Sequence, residues 1–296
     1  MNGTRSVTPL SRVAMSEVTT FNWTFEQDVK AYAEAGFGAI GVWQKKLETG
    51  PFAYSTIPID PLPESVLDAA VQTIRDAGLG VSSLICAGDY TQTDPELLER
   101  RLEHGCSAID AVRRLDAGCL VVIPGGLYGG TYAEAMERCS KSLRSLADIA
   151  GDADVKLAVE PLHPRDTDFI NTLGEALELV ERVGHEACGV FVDTWQLWET
   201  PNLLTEIASS AGRIYGLHVA DSPPTLRSNE DRFVPGEGVI PLVEIVGAAL
   251  DAGYDGFIDV ELMSRELWGL DYHDVLARCA AGITVVIDAV EARDAA

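Results

Sequence analysis

Apolar residues along this 296-residue chain fall into two alternating patterns. Short, nearly continuous apolar runs read as buried strands. They lie near residues 8–15, 38–43, 80–85, 119–123, 155–160, 189–193, 214–219 and 256–261. Between them, apolar positions recur at spacings of three and four, which predicts amphipathic helices. These cover Leu62–Ala77, Asp94–Leu115, Tyr132–Ala150, Leu173–Val183, Asn202–Ser209, Ile240–Ala252 and His273–Val290. An earlier helix opens at a capping box, Thr24-Phe-Glu-Gln27. Ala-Gly pairs punctuate the step from helix to strand at Ala35-Gly36, Ala77-Gly78, Ala117-Gly118, Ala211-Gly212 and Ala252-Gly253. Glycine suits the left-handed residue that closes a helix.

Strict alternation of strand and helix argues for a parallel sheet. Eight such units in a chain of this length predict an α/β fold, a single (β/α)8 TIM barrel over residues 1–296. The alternative is a doubly wound open sheet. No GxGxxG follows the first strand, which counts against its dinucleotide-binding form. No linker, low-complexity tract or second domain is visible.

Four of the runs end in a metal-competent side chain. They are VKLAVE at Glu160, GVFVD at Asp193, IYGLH at His218 and GFIDVE at Glu261. The C-terminal ends of barrel strands converge on the face that carries the chemistry. The four would then supply three carboxylates and one imidazole to one divalent ion. Oxygen ligands suit Mg2+ or Mn2+, and the nitrogen tilts the choice toward Mn2+, Co2+ or Zn2+. Mn2+ is the expectation. Each residue also has a bland reading. Glu160 and Glu261 would cap helices, Asp193 would be an N-cap, and His218 a satisfied core histidine. Four at the same end of four successive strands favour the ion.

Charge narrows the ligand. The net charge of -24 opposes phosphate backbones and anionic membranes, so neither nucleic acid nor a membrane is an expected partner. A small neutral substrate fits better. No apolar run approaches the ~20 residues of a membrane span, and the N-terminus lacks a signal-type apolar region. The six cysteines form no CxxC pair and read as buried thiols of a cytoplasmic protein. The longest loop, Asp221–Gly238, follows the seventh strand and reads as a functional lid or a disordered segment; Gln44–Asp60 and Ala87–Thr93 would add pocket walls. Trp195, Trp198 and Trp268 follow metal-bearing strands and would either stack on a substrate or pack loops to the rim. His163, three residues after Glu160, is a candidate general base or a loop histidine held by the backbone. Lys45 and Lys46 would reach an enolate oxygen or stand solvated.

The segments AVEPLHP, FVDTWQLW, YGLHVADSP, RFVPGEGVI and IDVELM resemble the xylose-isomerase-like barrel superfamily of sugar isomerases, ketose 3-epimerases, inosose dehydratases and isomerases, and apurinic-site endonucleases. The resemblance implies a metal held by Glu160, Asp193, His218 and Glu261, with Arg232 on the substrate. It implies acid–base work by Glu160 and Glu261 on either side of a carbonyl compound, through an ene-diolate. One departure is Gln196, where the epimerases carry histidine; glutamine still hydrogen-bonds a hydroxyl. The Glu-Pro-Leu-His-Pro stretch is also similar to enzymes that cleave C-glycosidic bonds in 3-oxo-glucosides, where His163 would be the base. An isomerase or epimerase acting on a sugar or oxo-sugar is therefore the leading expectation. A lyase on oxo-sugars or 3-oxo-glycosides is the rival, ahead of an endonuclease or an inactive subunit. A homo-oligomer or a small partner subunit is compatible with the resemblance.

Overall fold

In a computed structural model, which describes residues 9–48 and 57–294, eight parallel strands close into a barrel in sequence order. They are β1 (Val13–Ser16), β2 (Ala39–Trp43), β3 (Gly80–Gly88), β4 (Leu120–Ile123), β5 (Leu157–Val159), β6 (Cys188–Asp193), β7 (Ile214–Val219) and β8 (Ile258–Val260). β1 pairs with β8 as well as with β2, which completes the closure. The first strand is shorter than expected. Pro9–Arg12 form a 3-10 turn instead, and residue 8 lies outside the described residues.

The expected helices surround the barrel. Phe25–Ala35 opens on the Thr24–Gln27 capping box, and Tyr132–Asp152 and Leu173–Val183 open on two more, Thr131–Glu134 and Thr172–Glu175. Each box satisfies backbone donors that a helix start leaves orphaned. Gly36, Gly78, Gly212 and Gly253 adopt positive φ after their helices, as anticipated. At the Ala117-Gly118 turn, Asp116 takes the left-handed conformation instead. Gly118 is needed for space: a Cβ there would sit 2.6 Å from the Ser82 carbonyl oxygen.

Two apolar regions hold the fold. The larger lies between strands and helices, where the helices bury residues such as Val29, Leu67, Ile109, Leu143, Val180 and Leu276. The smaller fills the barrel with Cys119, Val121, Ala158 and Phe191, and continues upward through Ile85, Cys86, Val18 and Trp43. The barrel interior is thus packed, and any ligand must sit at its C-terminal mouth.

Candidate metal centre

The ladder registers decide which side chains meet at the mouth. Asp193 on β6 is paired with His218 on β7, and His218 with Asp259 on β8. Glu160 and Glu261 follow directly on β5 and β8, and side chains two apart on a strand share a face. Glu160, Asp193 and His218 accordingly bring ligand atoms within 4.8 Å of one another, all buried. His218 Nδ1 lies 3.9 Å from Asp193 Oδ2 and 3.4 Å from Glu261 Oε2. Glu261 itself is drawn to Arg232, whose Nη1 donates to Glu261 Oε2 at 2.6 Å and to Asp193 Oδ2 at 3.0 Å.

These groups fit a cation. Both ring nitrogens of His218 are buried without a hydrogen-bond partner, with carboxylate oxygens at 3.4 Å and beyond. A buried imidazole so placed is not the satisfied core histidine of the bland reading. The Glu160 carboxylate accepts no hydrogen bond among the described residues, so it caps no helix. Asp193 does both jobs at once. Its Oδ1 caps the short helix Thr194–Leu197 through the amides of Trp195 and Gln196, and its Oδ2 faces the centre.

The electrostatics separate the two glutamates. Burial, reinforced by the Asp193 charge, raises the Glu160 carboxyl well above its usual range. Burial also acts against ionisation of Glu261, but His218 and Arg232 outweigh it and hold that carboxyl low. His218 loses basicity by burial and more than regains it from Glu261, Asp259 and Glu160, which lift it to about 10. Their surroundings thus push the two carboxyls in opposite directions.

Arg232 is buried at 2 % exposure and lies over the Trp195 ring, 5.1 Å from its centroid. Trp195 is fully buried, which corrects its expected place as a stacking surface for substrate. Its face is spent supporting the guanidinium. Trp268 is half-buried and stacks on Phe21 at 4.6 Å, while its Nε1 donates to the Val18 carbonyl. Phe21 in turn lies 5.8 Å from Trp43. An aromatic wall therefore rises beside the centre, built from the β1, β2 and β8 ends.

His163 is placed differently from the expected general base. Its Nδ1 accepts the Arg165 amide at 3.2 Å and its Nε2 lies 3.3 Å from Glu199 Oε2. Both nitrogens have partners within the loops, so no lone pair is presented to a substrate. Gln196 is buried, and its Oε1 accepts the His163 amide at 2.6 Å, leaving its NH2 group as the polar function available to a ligand.

Other expected features resolve into scaffolding. Lys46 is neither solvated nor aimed at the mouth: at 2 % side-chain exposure it pairs with Asp28 and donates to the Thr20 carbonyl. Lys45 pairs with Glu48. The loop Asp221–Gly238 is strapped down, contrary to the lid reading. Asp221 pairs with Phe233 in a short antiparallel bridge, and Asp231 with Ser264 in another. The Asp221 carboxylate accepts four backbone amides, Ser222, Gly236, Gly238 and Ile240. Part of Gln44–Asp60 lies outside the described residues; Gln44–Leu47 forms one helical turn. Ala87–Thr93 begins inside β3 and turns at Asp89, which pairs with Arg101. Asp259 went unread in the sequence, although its place two residues before Glu261 puts it on the same inward face. Among the described residues, no helix is long and apolar enough to cross a membrane.

Residues 29–280 match the family model of the xylose isomerase-like TIM barrel. An inosose isomerase of Halalkalibacterium halodurans is 30% identical over 149 residues, 49% of this chain and 52% of that protein. The alignment thus spans about half the length of that relative. An inosose isomerase of Bacillus velezensis is 25% identical over 90% of this chain and 93% of its own length. A D-psicose 3-epimerase of Enterocloster bolteae is 27% identical over 62% and 60%. Among solved structures, a Sinorhizobium meliloti 1021 protein superposes with a TM-score of 0.81 at 28% identity, covering 92% of this chain and 97% of that one. The IolI protein with a bound zinc atom superposes at 0.78 and 21% identity, covering 94% and 98%, a likeness of fold.

Proposed function

The chain belongs to the xylose isomerase-like TIM barrel family, and from that premise we propose that it is a divalent-metal-dependent sugar isomerase or epimerase. The observation that carries the proposal is the convergence of Glu160, Asp193 and His218 on one point, with both His218 nitrogens unpartnered. Similarity to inosose isomerases and a psicose 3-epimerase supports the reaction class.

Glu160, Asp193, His218 and Glu261 would hold the ion, Mn2+ being the choice their mixed oxygen and nitrogen set favours. When bound, such an ion supplies Lewis acidity to neighbouring carbonyl and hydroxyl oxygens. Glu261 would accept the proton alpha to the substrate carbonyl. Glu160 would return one from the other side. Arg232 also offers remaining donors to substrate oxygens, and Gln196 its NH2 group. Phe21 and Trp268 present apolar faces to the carbon side of a sugar ring. The substrate is a small neutral sugar or oxo-sugar, in keeping with the strongly negative net charge.

Elimination from an oxo-glycoside is the second reading, since a leaving group beta to the same carbanion would depart. The engaged nitrogens of His163 weigh against it. The test is incubation with a ketose and with a 3-oxo-glucoside in Mn2+ buffer made with D2O. Solvent deuterium in recovered sugar without release of water or aglycone is the expected result. Release would establish the lyase, and neither exchange nor release would overturn both.

A further inference from the structure

Below the four ligands, the barrel holds one more carboxylate. Asp259 is 2 % exposed on β8 and stands opposite His218 in the β7–β8 ladder. Its Oδ2 accepts the Ser82 hydroxyl and lies 3.8 Å from His218 Nε2. Its Oδ1 and that Nε2 are both buried without a hydrogen-bond partner. A buried carboxylate and a buried imidazole nitrogen each carry a penalty when left unmatched, and Oδ2 is the oxygen turned toward Nε2, at a separation longer than a hydrogen bond.

The surroundings are shaped to keep the carboxylate there. β2 places Gly41 against it, and a Cβ at that position would lie 2.3 Å from Asp259 Oδ2. β3 supplies Ser82 as the donor that sets the carboxylate's rotation. The opposite edge of the His218 ring, at Nδ1, faces Asp193 and Glu261. The imidazole is therefore gripped between a carboxylate below and the ligand cluster above. Its ring plane meets Phe191 at 71° with centroids 4.4 Å apart, which prevents it from turning aside.

We propose that Asp259 is a positioning residue for the metal centre: it takes the Nε2 proton of His218 as a hydrogen bond, which leaves the Nδ1 lone pair directed at the ion. This rests on the metal-centre reading given above. Such outer partners fix the tautomer and orientation of a ligating histidine, and their loss weakens metal binding by about 10- to 100-fold.

The test is Co2+ affinity of the full chain, measured by equilibrium dialysis and by the visible ligand-field spectrum. In wild type, one Co2+ per chain is expected. Asp259→Asn, nearly the same size, should weaken binding by about 10-fold or more and alter the spectrum. In a His218→Ala background the same substitution should cost nothing further, because Asp259 acts through the imidazole. Wild-type affinity in Asp259→Asn would overturn the proposal. So would an equal loss with and without His218, which would reveal only long-range attraction of the cation by a negative charge. If wild type binds no Co2+, the metal-centre reading itself fails, and the proposal with it. Should Asp259→Asn not fold, Ser82→Ala, which unfastens the same carboxylate, is measured instead; it should weaken Co2+ binding only while His218 is present, and no weakening would overturn the proposal.

Discussion

The strap that holds Arg232 over the centre depends on Asp221, and removing that carboxylate should undo it. Asp221→Ala deletes an acceptor of four backbone amides at 2.8–3.0 Å. The four donors are not equivalent. Gly236 and Gly238 lie in an exposed stretch, so their amides recover water when the carboxylate leaves. Ser222 and Ile240 are buried and cannot. Leaving a buried donor unsatisfied costs about 1–3 kcal/mol, so the two together set a loss of roughly 2–6 kcal/mol. At about 2–4 °C per kcal/mol for a large domain, the low end of that range is a fall in Tm of roughly 4–8 °C. Asp221→Asn should do part of the same damage, since its NH2 group would face amide donors. Amide hydrogen exchange then locates the effect. Protection should drop at Ile240 and at Phe233, which bonds the Asp221 backbone, while the β6 ladder stays protected. Arg232, one residue before Phe233, would lose its fixed approach to Asp193 and Glu261, and turnover should fall with it. An unchanged Tm together with wild-type exchange at Ile240 would refute the reasoning.

Glu160→Gln and Glu261→Gln should each abolish deuterium incorporation into sugar while leaving the far-UV spectrum and Tm near wild type; near-normal exchange would remove that residue from the chemistry. Lys46→Met should cost about 3–5 kcal/mol in urea unfolding, because it strands Asp28 and Glu17, both fully buried, without their counter-ion; a loss under about 1 kcal/mol would mean one carboxyl is simply protonated. His104 is held to about 4 by burial, aided by the nearby Arg101 charge, below its ordinary 6.5. Its contribution is therefore full above pH 6.5 and is lost as pH falls toward 4, by roughly 3 kcal/mol at most. His104→Gln should flatten the stability curve across that window, and an unchanged acid limb would contradict it. His163→Ala should lower isomerisation by less than about 10-fold, below the range of a lost general base, and a larger loss in kcat would restore that role.

The barrel was readable because its signals are local and repeated. Each strand is a short apolar run, each helix has a 3.6-residue stripe, and period-2 geometry makes a strand's last residue point predictably. That is why the sequence places Glu160, Asp193 and His218, which do cluster, at one end of the barrel, while the pull of Arg232 on Glu261 leaves no trace in it. The roles of the next residues were not legible, because they depend on contacts across the chain. Trp195 and Trp268 both follow ligand-bearing strands, yet one is sealed beneath Arg232 and the other stacks on Phe21. His163 has the spacing of a base, but Glu199 and the Arg165 amide claim its nitrogens. Lys46 reads as a surface lysine and is buried by Asp28. Asp259 did leave a trace, the Asp-x-Glu alternation of GFIDVE; its partners Ser82 and Gly41 come from strands more than 170 residues away.

The two halves of the barrel divide their labour. The clustered Glu160, Asp193 and His218 stand at the ends of β5 to β7, while Phe21 after β1 and Trp43 at the end of β2 begin the wall that Trp268 completes after β8. Such a layout separates reactivity from choice of substrate. Replacing residues on the early side retunes which molecule is admitted without disturbing the cage opposite, so new specificities can be selected while the underlying chemistry is inherited intact.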